Sequence, residues 1–187
     1  MTVQDDAIRE LVSQVEDPRT VLMSAGNSVK KLLQTHYRKK NASEPNQLGA
    51  KRTNFWADVG RSVEGPISSG NNVLVNITHP HIRQKIYGGK ISAKRTKFLT
   101  IPIHPDAYDK RARVLEREKS IKLTFVETGG KKFLAGEKDG RFQFFYLLKK
   151  SVNQKPWLNS LPKNDAINDS AREGTIEALT QALSDSL

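Results

Sequence analysis

Four cations, Lys90, Lys94, Arg95 and Lys97, fall within eight residues behind the pair Gly88-Gly89. No acid or base stands among them, so the segment suits a phosphate backbone or an acidic protein surface and not proton transfer. Only Tyr87 and Phe98 flank it for base stacking, and no helix-turn-helix, RRM or zinc-finger pattern accompanies it. Sequence-specific reading of nucleic acid is therefore not expected. Non-specific contact with DNA, a subunit contact and a solvated loop all remain open. The two successive glycines predict backbone at positive φ.

Other chemistry is sparse. His79-Pro80-His81 has a spacing that sets two imidazoles on one face of a strand, but no Cys or acidic cluster nearby could complete a metal shell. These read as ordinary loop or edge histidines, and His36 as a packed one. Ser28 and Lys31 match S-x-x-K without the companion S-D-N and K-T-G elements. No phosphate-binding glycine loop, dinucleotide fingerprint or nucleophile elbow occurs. Glu44, Asp58, Glu64, Asp106 and Asp109 stand in unrelated segments, so no carboxylate pair converges on one bond. The chain is expected to be no enzyme and to take no metal or cofactor.

The charge is unevenly spread over the elements that would position these residues. The 187 residues carry 31 Lys+Arg and 20 Asp+Glu, a net of +11. Residues 1–17 and 164–187 are each −4, which leaves +19 between them. A basic body with acidic ends suits a phosphate partner or assembly with acidic surfaces, its own copies included. There is no apolar run of the roughly 18 residues that a membrane helix needs. The first twenty residues lack the pattern of a signal peptide. Zero cysteine excludes disulfides and thiol chemistry. A soluble, non-secreted protein is expected.

Ile8, Leu11, Val12 and Val15 recur at helical spacing, which predicts an acidic amphipathic helix over 5–16. Asp17-Pro18 opens a second helix, expected to run to about Tyr37 on the stripe Val21, Leu22, Ala25, Val29, Leu32, Leu33. A loop over 41–52, a helical stretch over 53–64 and a loop over 65–72 lead into strands at 73–78, 98–104, 121–126, 132–135 and 141–149. Gly129-Gly130 and Asp139-Gly140 are hairpin turns. Residues 153–163, with Pro156 and Pro162, read as an extended strap before a final helix over 165–183, which Gly174 interrupts. The expected fold is α+β: a mainly antiparallel sheet of four to five strands packed by the long helix, with a C-terminal helical arm. Its divisions are an acidic helix at 1–17, a basic domain at 18–152 and the strap and helix at 153–187. Trp157, Leu158 and Leu161 are the expected anchors of that arm on a neighbouring subunit, the alternative being a helix folded back on its own domain.

The stretch IRQKIYGGKISAKRTKFLTIPIHPDAYDKRARVLE, residues 82–116, resembles a segment of tailed-bacteriophage morphogenesis proteins of the neck and tail-completion family. The shared features are Gly88-Gly89, the basic turn from Ile91 to Lys94, the apolar run from Leu99 to Pro102, and Ala107-Tyr108. The surrounding order is also similar, with Asn54-Phe55-Trp56-Ala57-Asp58 upstream and Ser151-Val152-Asn153-Gln154-Lys155-Pro156 before the final helix. The resemblance implies a structural virion protein that forms or completes the head–tail junction as a hexameric ring. Its partners would be copies of itself and neighbouring neck, connector or tail-tube proteins, with packaged DNA as a non-specific contact and no membrane. Assembly would occur in the host bacterial cytoplasm, and the mature location would be the virion. The competing readings are a non-specific DNA-binding phage protein and, more distantly, a phage enzyme.

Overall fold

A computed structural model describes residues 18–44, 50 and 53–185. The helix expected at 5–16 lies outside the described residues, as does most of the loop at 41–52. The protein is α+β and divides into two compact units. One comprises residues 18–43, 54–86 and 157–185. The other comprises 87–156 with residues 44, 50 and 53. These boundaries differ from the division at 152/153 drawn on the sequence, because the chain returns to its first unit at Trp157.

The first unit is built on helix α1, Pro18–Ser43. Proline at its start has no N–H to lose. Val21, Leu33 and Tyr37 are buried, the last two on one face. The helix runs to Ser43, nearly two turns beyond the expected end at Tyr37, and Lys40 in that extension is buried with its ammonium 4.7 Å from the centre of the Trp56 ring. Helix α2, Phe55–Arg61, supplies Trp56 and Val59 to the same core, together with Val63 and Ile82. Tyr37 stacks on Trp56 at 5.7 Å. The Tyr37 hydroxyl is buried with no hydrogen-bond partner among the described residues, and burial pushes its pKa up to about 12.

Strands β1, Val63–Ser69, and β2, Asn72–Ile77, form an antiparallel hairpin against α1. The sequence predicts helix and loop where β1 lies, since Gly65-Pro66 reads as a breaker. The register slips between Glu64 and Ile67, so the pair sits in a bulge that the ladder tolerates. Helix α3, Ile82–Tyr87, follows. The final helix α5, Asn164–Asp185, lies along α1 within this unit. Within the chain this is the folded-back arrangement named as the alternative: Trp157 and Leu161 pack on the unit's own core, while Leu158 is 89% exposed.

The second unit holds β3, Gly89–Ser92, and β4, Leu99–Pro102. A 3₁₀ turn at Pro105–Ala107 and helix α4, Ala112–Lys119, follow, and then β5, Thr124–Thr128, β6, Lys131–Lys138, β7, Arg141–Lys149, and β8, Ser151–Gln154. The main sheet has four antiparallel strands in the order β4-β7-β6-β5, and β3 pairs separately with β8. The strands therefore form one four-stranded sheet and two ladders of two strands, where the sequence suggests one sheet of four to five. One face of the main sheet is covered within the unit by Ala107, Leu115 and Ile121, which bury Phe145 and Tyr146. A bulge opposite Leu134 and Ala135 adds Phe145 to β7. The Tyr146 hydroxyl donates to the Lys110 carbonyl at 3.0 Å, which spans 36 residues of sequence.

Candidate functional site

The basic run is placed by two ladders. Gly88 has φ +67°, and a Cβ there would collide with the Gln154 carbonyl oxygen and stand 2.8 Å from the Pro156 nitrogen. Gly89 has φ +121° and pairs with Gln154. This close approach sets β3 on β8, with Lys90 opposite Asn153. Lys90 thus stands on the β3–β8 ladder, apart from the bend that holds Lys94, Arg95 and Lys97. All four are exposed. The bend is tied down by the Ala93 N–H, which donates to the Lys150 carbonyl at 3.1 Å, and by the Thr96 hydroxyl on the Phe98 carbonyl at 2.8 Å.

That tie brings in cations distant in sequence. Leu99 pairs with Lys149, Lys132 with Leu148, and Lys131 with Thr128, so all of these lysines lie at the end of the sheet where β4 begins. The Lys97 and Lys132 ammoniums lie 5.8 Å and 5.6 Å from the centre of one ring, Phe98. Among the described residues this end gathers seven cations: Lys94, Arg95, Lys97, Lys131, Lys132, Lys149 and Lys150. The strands and turns that form it contribute one acid, Glu127, 3.6 Å from Lys132. Sequence reading finds the first three cations by composition and misses the other four, whose only signal is the placing of lysines at strand ends.

The opposite end is charge-balanced. Asp106 pairs with Lys138 at 2.5 Å and Lys119 at 3.4 Å, and hydrogen bonding by Lys138 holds its carboxyl below the ordinary range. Lys110 pairs with Glu118 at 2.6 Å.

Register also defines an apolar surface. Ile101, Leu147, Phe133 and Val126 are successive partners across all four strands and so share one face. Phe144 joins them, its ring 4.8 Å from Phe133, and Phe142 lies 5.8 Å from Phe144. Leu99 follows by alternation along β4, and Ile103 continues it one residue past the strand's end. None of these eight side chains belongs to either buried core, and Phe142 and Phe144 are 59% and 38% exposed. The opposite face, carrying Leu134 and Tyr146, is the one that α4 covers. Alternation in RFQFFYLLK hides this arrangement, because both faces of β7 are apolar.

The remaining candidates do not converge. The His79 and His81 rings lie 5.9 Å apart, with Phe55 against His79 at 4.9 Å. Burial first, and His81 second, lowers the His79 pKa. Among the described residues no three His, Cys, Asp or Glu are grouped to hold a metal ion, and no helix is long and apolar enough to cross a membrane. A cleft of about 370 Å³ between α1 and α2 is lined by Gln34, Arg38, Asn41, Ala57, Gly60 and Arg61, a set without a nucleophile or a carboxylate. Trp157, Leu158 and Leu161 lie in the first unit and take no part in the basic end.

Protein-family models, curated proteins and solved structures offer no match to this chain.

Proposed function

We propose that this chain is a structural virion protein of a tailed bacteriophage, completing the neck or tail terminus at the head–tail junction as a hexameric ring. Its partners in this reading are its own copies and neighbouring connector or tail-tube proteins. It is assembled in the host cytoplasm, performs no catalysis and takes no cofactor. The observation that carries the reading is the apolar sheet face of the second unit beside seven cations and one acid. Fully burying a large apolar side chain is worth about 1.5–3 kcal/mol, and a face of this kind is what a protein interface covers. The resemblance at residues 82–116, which spans β3, the basic bend and β4, supplies the virion context.

Electron microscopy of the purified chain, alone and with extracts of assembling phage, tests this reading. Closed rings that incorporate into particles are expected. A monomer that never joins a particle would overturn it.

The seven-cation end also favours a second reading, direct non-specific binding of DNA. Neutralising about seven phosphates gives a salt dependence of log K near −6. Tight binding of duplex by the monomer with that slope would favour DNA binding over assembly.

A further inference from the structure

The cations Lys131 and Lys149 lie on the apolar face itself. Each is two residues along its strand from the row Ile101, Leu147, Phe133, Val126. The face is thus a hydrophobic strip edged on one side by positive charge. The row crosses three inter-strand gaps, about 14 Å. Outside the described residues the chain offers one segment with a repeating apolar stripe, residues 5–16, whose Ile8-to-Val15 span on a helix is about 10 Å. The other undescribed stretches hold at most one leucine each. On such a helix Asp5 and Glu16 fall on the same flank of the stripe, with Arg9 between them along the axis and a net of −1, and residues 1–17 are net −4 against seventeen Lys+Arg and seven Asp+Glu on 87–156.

We infer that residues 5–16 of one copy dock as an amphipathic helix across the β4-β7-β6-β5 face of a neighbouring copy. Ile8, Leu11, Val12 and Val15 cover Phe133, Phe144 and Leu147, and Asp5 and Glu16 turn toward Lys131 and Lys149. Apolar contact supplies the adhesion, and charge sets the direction in which the helix lies. The inference deepens the assembly reading and rests on it only for the presence of a neighbouring copy.

The test uses the full chain carrying a benzophenone amino acid in place of Leu11, mixed with an excess of isotopically heavy, unsubstituted chain and irradiated. Adducts are expected on the heavy tryptic peptide 142–149, with Ile8→Asp and Val15→Asp in the photoreactive chain reducing them about tenfold, the factor that some 1.4 kcal/mol represents. Adducts on the light chain alone, on other surfaces, or undiminished by the Asp substitutions would overturn the docking. Closed rings without the adduct would overturn it while leaving the assembly reading intact. Absence of both rings and adduct would overturn the two together.

Discussion

The Lys85 ammonium lies 3.5 Å from the centre of the Trp157 ring, while the Trp157 backbone N–H donates to the Lys85 carbonyl at 2.8 Å. Two contacts of different kinds join the same two residues, and Trp56 adds a third, its ring 6.1 Å from Trp157. The Ser160 hydroxyl reinforces the turn by donating to the Trp157 carbonyl at 2.7 Å. This explains why the strap closes on its own unit. Trp157→Ala should destabilise that unit by about 3 kcal/mol, and Lys85→Met by about 1 kcal/mol. Urea unfolding followed by tryptophan fluorescence measures both, from Trp56 alone in Trp157→Ala and from both tryptophans in Lys85→Met, and a larger loss from Lys85→Met than from Trp157→Ala would contradict the ranking.

Asp106 gives the second unit an acid-sensitive joint. Its folded pKa lies below the ordinary value, first because Lys138 hydrogen-bonds to it and then because of Lys119. The stabilisation is therefore present above the unfolded pKa of about 3.9 and is lost as pH falls through the depressed folded value. Asp106→Asn should lower stability at pH 7 and flatten the acid limb of the stability curve. Thermal unfolding from pH 7 down to pH 2 checks this, and an unchanged slope below pH 4 would remove Asp106 from the account.

Gly88 must satisfy both a left-handed backbone and a steric limit. Alanine there takes a positive φ and drives its Cβ into the Gln154 carbonyl. The loss should exceed the roughly 1–2 kcal/mol of the backbone term alone. Gly130, at φ +69° with nothing within 4 Å of its Cβ position, supplies the comparison. Equal melting temperatures for Gly88→Ala and Gly130→Ala would show that the contact with β8 yields freely.

The basic end can be divided experimentally. Replacing Lys94, Arg95 and Lys97 with Ser should leave stability within about 0.5 kcal/mol, since these side chains lie at the surface. Adding Lys149→Ser and Lys150→Ser should lower the salt needed for elution from heparin beyond the effect of the triple substitution. An additive drop would show that the sheet end acts as one surface, and no change on adding the second pair would show that the bend acts alone. Particle completion should fall with the triple variant.

The long helix α1 was legible because its apolar residues recur at helical spacing. The β5–β6 and β6–β7 hairpins were legible because Gly129-Gly130 and Asp139-Gly140 are turn pairs. Strand β1 was hidden by Gly65-Pro66, which signals a break in any local reading and here occupies a ladder irregularity. The basic bend was visible in composition, whereas its lysine neighbours come from β6, β7 and the residue after β7, and only register brings them together. The apolar face was obscured for a related reason: α4 covers one face of a sheet whose two faces are both apolar, and local sequence does not say which face is covered. The thin apolar stripe of the final helix suggests an arm and gives no sign of its packing on α1. That packing depends on small residues, Gly174 against Ser24 and Ser28, which no hydrophobic pattern records.

Gly174 offers the sharpest test of that packing, since propensity and proximity predict opposite signs. In a helix interior alanine is favoured over glycine by about 1 kcal/mol, so an isolated or outreaching α5 would gain from Gly174→Ala. Against α1, the new Cβ would stand 2.5 Å from the Ser28 Oγ and 2.7 Å from the Ser24 carbonyl oxygen. The Ser28 side chain can rotate away, but the Ser24 carbonyl belongs to the α1 backbone and yields only if the two helices separate. Overpacking of this kind costs about 1–3 kcal/mol, which outweighs the gain in propensity. Gly174→Ala should therefore destabilise the first unit, and the double variant Ser28→Ala, Gly174→Ala should recover only part of the loss. Thermal unfolding of the two variants decides the matter: a rise in melting temperature for the single variant would mean that α5 does not rest on α1 in solution.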